Sequence, residues 1–189
     1  MNAERWILSK TTTGLVVENA PLPTQVQASI TMQYYEGGVP KEKSVPAVLP
    51  TQWLTNYYPS VDYAKAVAAK YDDFAANGAR VWQCYMLGLD PTDAESGVSL
   101  SMTVGGGKIA FAVEGLGETH EIDGVDVFWA LKTSTNLVTD ADFTKTRESD
   151  TGLSPTFTVH DMPDKPTNSS DAEPVDTLFY RLKATFYTP

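Results

Sequence analysis

Cysteine is nearly absent from this sequence: Cys84 stands alone, so no disulfide can form within the chain and packing must hold the fold. Histidine is as scarce, with only His120 and His160, far apart, whereas zinc sites draw on tightly spaced ligands. No apolar run approaches the roughly 20 residues that span a bilayer as a helix. Basic residues are in deficit, 14 Lys+Arg against 24 Asp+Glu, for a net charge of −10. An acidic surface repels phosphate backbones and anionic lipid headgroups, which argues against nucleic acid and membrane insertion. Met1 to Lys10 lack the apolar core of a signal peptide. Two origins stay open on that ground, a cytoplasmic protein or a mature piece of a longer secreted precursor, and later residues favour the second.

Apolar residues make up 42% of the 189, which suits a real core in one domain, or in one domain plus a smaller attachment. Three regions follow along the chain. Residues 1–50 read as N-terminal strands and a linker. Arg5-Trp6-Ile7-Leu8 and Gly14-Leu15-Val16-Val17-Glu18 are short strand signals. From Gln25 to Tyr35 the chain alternates, with Val26, Ala28, Ile30, Met32 and Tyr34 on one face and polar residues on the other. Lys41 to Pro50, polar and punctuated by proline, reads as a linker. The apolar face needs a partner, either this chain's own core or another molecule, and docking within the chain has the higher effective concentration.

Residues 51–96 read as helical. Thr51 is placed to cap a helix running to Tyr58, and Ser60 to cap a second that carries Val61, Ala64, Val67, Ala68, Tyr71 and Phe74 at helical spacing. Asn77-Gly78 stops it. A third helix holds Val81, Trp82, Tyr85 and Met86, with Gly88 as its C-terminal stop and Asp90-Pro91-Thr92-Asp93 as a turn. Residues 97–189 read as short antiparallel strands. Val98, Leu100, Met102 and Val104 alternate up to Gly105-Gly106-Gly107, and Ile109, Phe111 and Val113 return. Further strand signals are Val125–Lys132, Thr144–Glu148, Pro155–His160 and Leu178–Tyr187, with an acidic, exposed loop expected over Asp161–Asp176. The fold class expected is mainly β with a small helical segment: an antiparallel β-sandwich, immunoglobulin/fibronectin-like, preceded by two or three short helices and N-terminal strands.

Trp82-Gln83-Cys84-Tyr85-Met86-Leu87-Gly88-Leu89-Asp90-Pro91-Thr92 resembles a W-x-x-Y-x-x-G-x-D-P-T motif. That motif introduces a C-terminal β-sandwich module in large secreted proteins of Planctomycetes–Verrucomicrobia–Lentisphaerae-type bacteria. Gln52-Trp53-Leu54 to Tyr57-Tyr58-Pro59 resembles the module's leading helix. Ser134-Thr135-Asn136-Leu137 with Asp142-Phe143-Thr144 resembles its central strand–loop–strand, and Phe179-Tyr180-Arg181-Leu182-Lys183 its closing strand. The resemblance covers about the last three-quarters of the chain and leaves residues 1–50 aside. It implies secretion or a cell-surface location, a terminal position on a longer protein and a structural or display role, with no reaction. Many members carry a D-x-D-G-D-G run before the tryptophan; here Phe74-Ala75-Ala76-Asn77-Gly78 retains only Asn77-Gly78. Calcium takes six to eight oxygen ligands, and Ala75 and Ala76 offer none from their side chains, so no metal is expected.

Other chemistries find no full set of residues. Gly105-Gly106-Gly107-Lys108 lacks the Ser/Thr and the helix of a phosphate loop and reads as a hairpin turn. His120 and His160 read as surface residues, and Cys84, among apolar neighbours, as a small hydrophobe. There is no G-x-S-x-G elbow, and the carboxylates crowd into loops. Trp53, Trp82 and Trp129 read as core. The candidates for ligand contact are Tyr34, Tyr35, Tyr57 and Tyr58. The functions expected are, first, a non-catalytic structural or surface-display module, with no cofactor and not an enzyme. The alternatives are a glycan- or protein-binding sandwich and a self-assembling extracellular subunit using its N-terminal strands. The partners expected are other parts of a larger surface protein, copies of itself, or a glycan.

Overall fold

The computed structural model describes residues 7–11, 14–18, 21–134, 143, 145–158, 160–161 and 179–188. The expectations for Arg5-Trp6, most of Ser134–Thr144, and the loop from residue 162 to 176 lie outside them. The fold is mainly antiparallel β with three short helices among the described residues.

Strands β1 (Ile7–Thr11) and β2 (Gly14–Glu18) pair with each other. Strand β3 (Gln25–Glu36) pairs along its whole length with β4 (Val39–Pro50). The supposed linker from Lys41 to Pro50 is therefore a strand. Gly37 and Gly38, at φ 59° and 80°, form the two-residue turn with both residues left-handed that a tight hairpin requires. Proline was the misleading signal. Pro40, Pro46 and Pro50 share one parity, so all three direct their missing N–H to the same edge, away from β3. The alternation expected of β3 is present: Val26, Ala28, Ile30 and Met32 are buried, while Tyr34, near the turn, is 41% exposed.

Their cover comes from the helices and from the sheet behind. Helix α1 (Thr51–Tyr57) follows β4 directly, with Pro50 in the capping position; the Thr51 hydroxyl donates to the Pro23 carbonyl instead of capping. Helix α2 (Ala64–Lys70) starts after Tyr63, so Ser60 caps nothing, and it ends before Phe74. Val67 and Tyr71, one turn apart, enter the core; Phe74 stands 65% exposed with the Arg80 guanidinium 4.6 Å over its ring. Helix α3 (Val81–Leu87) inserts Val81, Trp82, Cys84 and Met86. One apolar cluster joins the β3 face, Leu49 of β4, these helical residues, and Val127 and Trp129. Burying each of Val26, Ile30 and Met32 stabilises by about 1.5–3 kcal/mol.

The remaining strands form two three-stranded sheets. In one, β7 (Asp126–Ser134) lies between β10 (Phe179–Tyr187) and β8 (Lys145–Thr151). In the other, β6 (Lys108–Glu114) lies between β5 (Ser99–Gly105) and β9 (His160–Asp161). Ile109 and Phe111 of β6 meet Leu131 of β7 and Tyr180 of β10 in a second apolar cluster. The β5–β6 hairpin expected from the alternation is present; Met102 and Val104, directly opposite Phe111 and Ile109, are more than half exposed, because the second cluster covers β6 and leaves the outer half of β5 bare. One strand expectation fails. Pro155 to Thr158 is not a strand; the Thr156 and Thr158 amides donate to the carboxylates of Asp150 and Glu148 on β8 instead of to a ladder.

Polar contacts also tie the hairpin to the helical segment, the shortest at Asp72 and Tyr71. The prolines direct even-numbered residues of β4 outward, so their partners on β3 also face a free edge. Thr31, paired with Ser44, donates its amide and its hydroxyl to the Asp72 carboxylate, each at 2.6 Å. Replacing Asp72 by alanine is expected to cost about 1.5–3 kcal/mol, the range for hydrogen bonds to a charged group. Urea denaturation checks this, and a loss under 0.5 kcal/mol, the level of an ordinary surface change, would mean the tie carries nothing.

Candidate functional site

The chemistry-bearing side chains concentrate around α3. At its start the Arg80 amide donates to Gln83 Oε1 at 2.8 Å. Trp82 is fully buried and meets the Phe186 ring of β10 edge-on, 5.0 Å between centroids. At its end Gly88 takes φ 67°, the left-handed stop expected of it. The segment 115–122 then crosses the helix terminus. The Gly117 amide donates to the Leu87 carbonyl (3.1 Å) and the His120 amide to that of Met86 (3.0 Å), which satisfies two carbonyls the helix leaves open. Asp90 closes the motif as a turn: Oδ1 accepts the Thr92 amide (2.8 Å) and hydroxyl (2.6 Å).

The crossing brings His120 face to face with Tyr85, 4.6 Å apart and 7° from parallel. Tyr85 in turn meets Trp53 edge-on at 5.2 Å, and Trp53 lies against Tyr57 (5.0 Å) and Tyr71 (6.0 Å). The inner members are structural: Tyr71 is fully buried and its hydroxyl donates to the Pro50 carbonyl at 2.6 Å. Burial pushes the Tyr71 hydroxyl well above the usual tyrosine range, and that of Tyr85 upward as well. The outer members open to solvent. Trp53, Asn56 and Tyr57 of α1, with Gly88, Glu118 and His120 opposite, line a cleft of about 300 Å³. Trp53, Asn56 and Tyr57 stand at i, i+3 and i+4, one face of the helix.

Of the four tyrosines singled out from the sequence, only Tyr57 belongs to this cleft. Tyr58 is turned away, its hydroxyl donating to the Pro91 carbonyl at 3.2 Å and its ring under Lys70 Nζ at 4.6 Å. Tyr34 lines a separate depression with Lys43, Phe186 and Tyr187. The side chain of Tyr35 lies outside the described residues. Trp53 is half-buried at the cleft wall rather than core, and His120 is a half-buried ring stacked on Tyr85 rather than a plain surface residue. The helical spacing of Trp53, Asn56 and Tyr57 was legible in the sequence; the approach of Glu118 and His120 was not, because it depends on 115–122 docking at Gly88.

A further depression, beside Arg80, holds about 310 Å³. Its cation is already spent: Arg80 donates to the Asp72 carbonyl at 2.6 Å and lies over Phe74. Cys84 is buried, and burial raises its thiol pKa, which leaves it a weak nucleophile. Asn77, the remnant of the aspartate-rich run, donates to the Ser96 carbonyl at 2.7 Å and accepts the Ala79 amide at 3.1 Å, so its amide is a loop brace. A chelator is expected to leave the melting temperature unchanged; a fall of several degrees would reveal a metal that stabilises the fold. Among the described residues no three His, Cys, Asp or Glu side chains gather as metal ligands do. No family model, curated protein or solved structure matches the chain.

Proposed function

We propose that this chain is a non-catalytic structural or display module of a secreted bacterial surface protein, built as an antiparallel sandwich of the immunoglobulin/fibronectin-like type. The observation that supports this most is how the W-x-x-Y-x-x-G-x-D-P-T residues are used. Trp82 braces β10 through Phe186, Tyr85 carries His120, Gly88 receives Gly117, and Asp90 ties Thr92. The first three each join two segments of chain, and Asp90 closes a local turn. The sandwich reading rests on the contact of Ile109 and Phe111 with Leu131 and Tyr180, across the two three-stranded sheets. Self-assembly by strand addition at β4 is disfavoured, because Pro40, Pro46 and Pro50 interrupt the donors along its outer edge. The test is labelling of intact source cells with an antibody raised against this chain. Labelling without permeabilisation is expected; labelling only after permeabilisation would overturn the proposal.

A further inference from the structure

We infer that the cleft between α1 and the segment 115–122 binds a neutral pyranose sugar, at the end of a glycan or as a free saccharide. A pyranose offers an apolar face of C–H groups and a rim of hydroxyls that both donate and accept. It therefore calls for an aromatic wall beside planar polar groups, and the exposed lining of this cleft is more polar than apolar. Trp53 and Tyr57 supply the wall, with rings 5.0 Å apart and inclined at 55°. Asn56, Glu118 and His120 supply the rim.

These polar groups are unspent. Gln52 donates to Asn56 Oδ1 at 2.8 Å, which fixes the amide and leaves its NH₂ to donate outward. The Glu118 carboxylate, the imidazole nitrogens of His120 and the Trp53 indole N–H make no hydrogen bond to any described residue. His120 is held by its ring face on Tyr85 and by its amide on the Met86 carbonyl, so its position is set without using either ring nitrogen. Asn56 and His120 are thus held in place before a ligand arrives, which lowers the ordering cost of binding. Glu118 can accept from neighbouring hydroxyls in charge-assisted bonds, and the same charge on an acidic chain repels a uronic or sialic acid. A cleft of about 300 Å³ is at the small end of ligand sites, suited to one or two rings. For a single ring the dissociation constant should be on the order of 1 mM.

The test is a titration of the ¹⁵N-labelled full chain, read at the tryptophan indole resonances, with glucose, galactose, mannose, N-acetylglucosamine and their disaccharides, and with glucuronate for comparison. At least one neutral sugar should shift the Trp53 indole saturably, while the buried Trp82 and Trp129 indoles stay in place. Glu118→Ala, an exposed change that leaves the ring cluster intact, should weaken binding about tenfold. Tyr57→Ala should weaken it as well. No shift with any neutral sugar at about 50 mM, an equal response to glucuronate, or unchanged binding by Glu118→Ala would each overturn the inference. Surface labelling is independent of this titration, so the sugar site and the display role can fail separately.

Discussion

Trp82→Ala should destabilise the protein by about 3–5 kcal/mol and lower its melting temperature by roughly 10 °C. Trp82 is, with Trp129, one of the two largest fully buried side chains among the described residues, and it lies where the α3 helix, the β3 face and Phe186 of β10 come together. Its removal opens a cavity shared by three segments that cannot all collapse at once. Trp82→Phe should cost far less. The indole Nε1 is buried and has no hydrogen-bond acceptor among the described residues, so phenylalanine loses ring volume but relieves an unsatisfied donor. Urea unfolding of the two variants separates these terms. Equal losses would mean that the indole N–H is satisfied in solution and that its bond carries much of the effect.

Gly88→Ala should be nearly as damaging, by about 2–5 kcal/mol, from two sources that neighbouring glycines isolate. A Cβ at Gly88 would stand 2.5 Å from the Gly117 carbonyl carbon and 2.6 Å from the Glu118 backbone nitrogen and oxygen, in a residue already at φ +67°. Gly78 has the same left-handed strain, at φ +82°, with open space around it, so Gly78→Ala should cost only about 1–2 kcal/mol. Gly117 carries no positive φ, yet its Cβ would stand 2.2 Å from the Gly88 oxygen, so Gly117→Ala isolates the clash. The loss at Gly88 should approach the sum of the other two. Because the crossing also delivers His120 and Glu118, Gly117→Ala should weaken sugar binding as well as stability. If Gly88→Ala and Gly78→Ala cost the same, the close crossing of the two segments is wrong.

Local periodicity carried most of what was legible in the sequence. The period-two face of β3, the α3 stop at Gly88, the hairpin turn at Gly106-Gly107 and the burial of Trp82 and Trp129 each follow from a rule that acts within a dozen residues. The misses arose where a local signal had two meanings. Proline in Lys41–Pro50 signals a linker or an outer strand, and only its common parity at 40, 46 and 50 distinguishes them. Thr51 and Ser60 are good caps by type, but Thr51 bonds Pro23 and α2 begins later, at Ala64. Phe74 fits the helical stripe, yet Arg80 takes it as a platform. The candidate cleft is half visible in the sequence: Tyr57 stands out by its aromatic ring, and its neighbours Trp53 and Asn56 follow by helical spacing. Glu118 and His120 lie some sixty residues further on, brought in by a backbone contact between two glycines that no pattern announces.

The expectation that the N-terminal hairpin belongs to the same core as the helices can be tested most directly by truncation. Val26, Ile30 and Met32 lie in the cluster with Val67, Tyr71 and Trp82, and Asp72 bonds the edge of β3. A chain beginning at Thr51 would expose that cluster and remove both Thr31 hydrogen bonds to Asp72. In a thermal scan by calorimetry, the full chain should melt in one cooperative transition and the truncated chain should show none. A truncated chain that melts cooperatively within a few degrees of the full one would contradict a shared core.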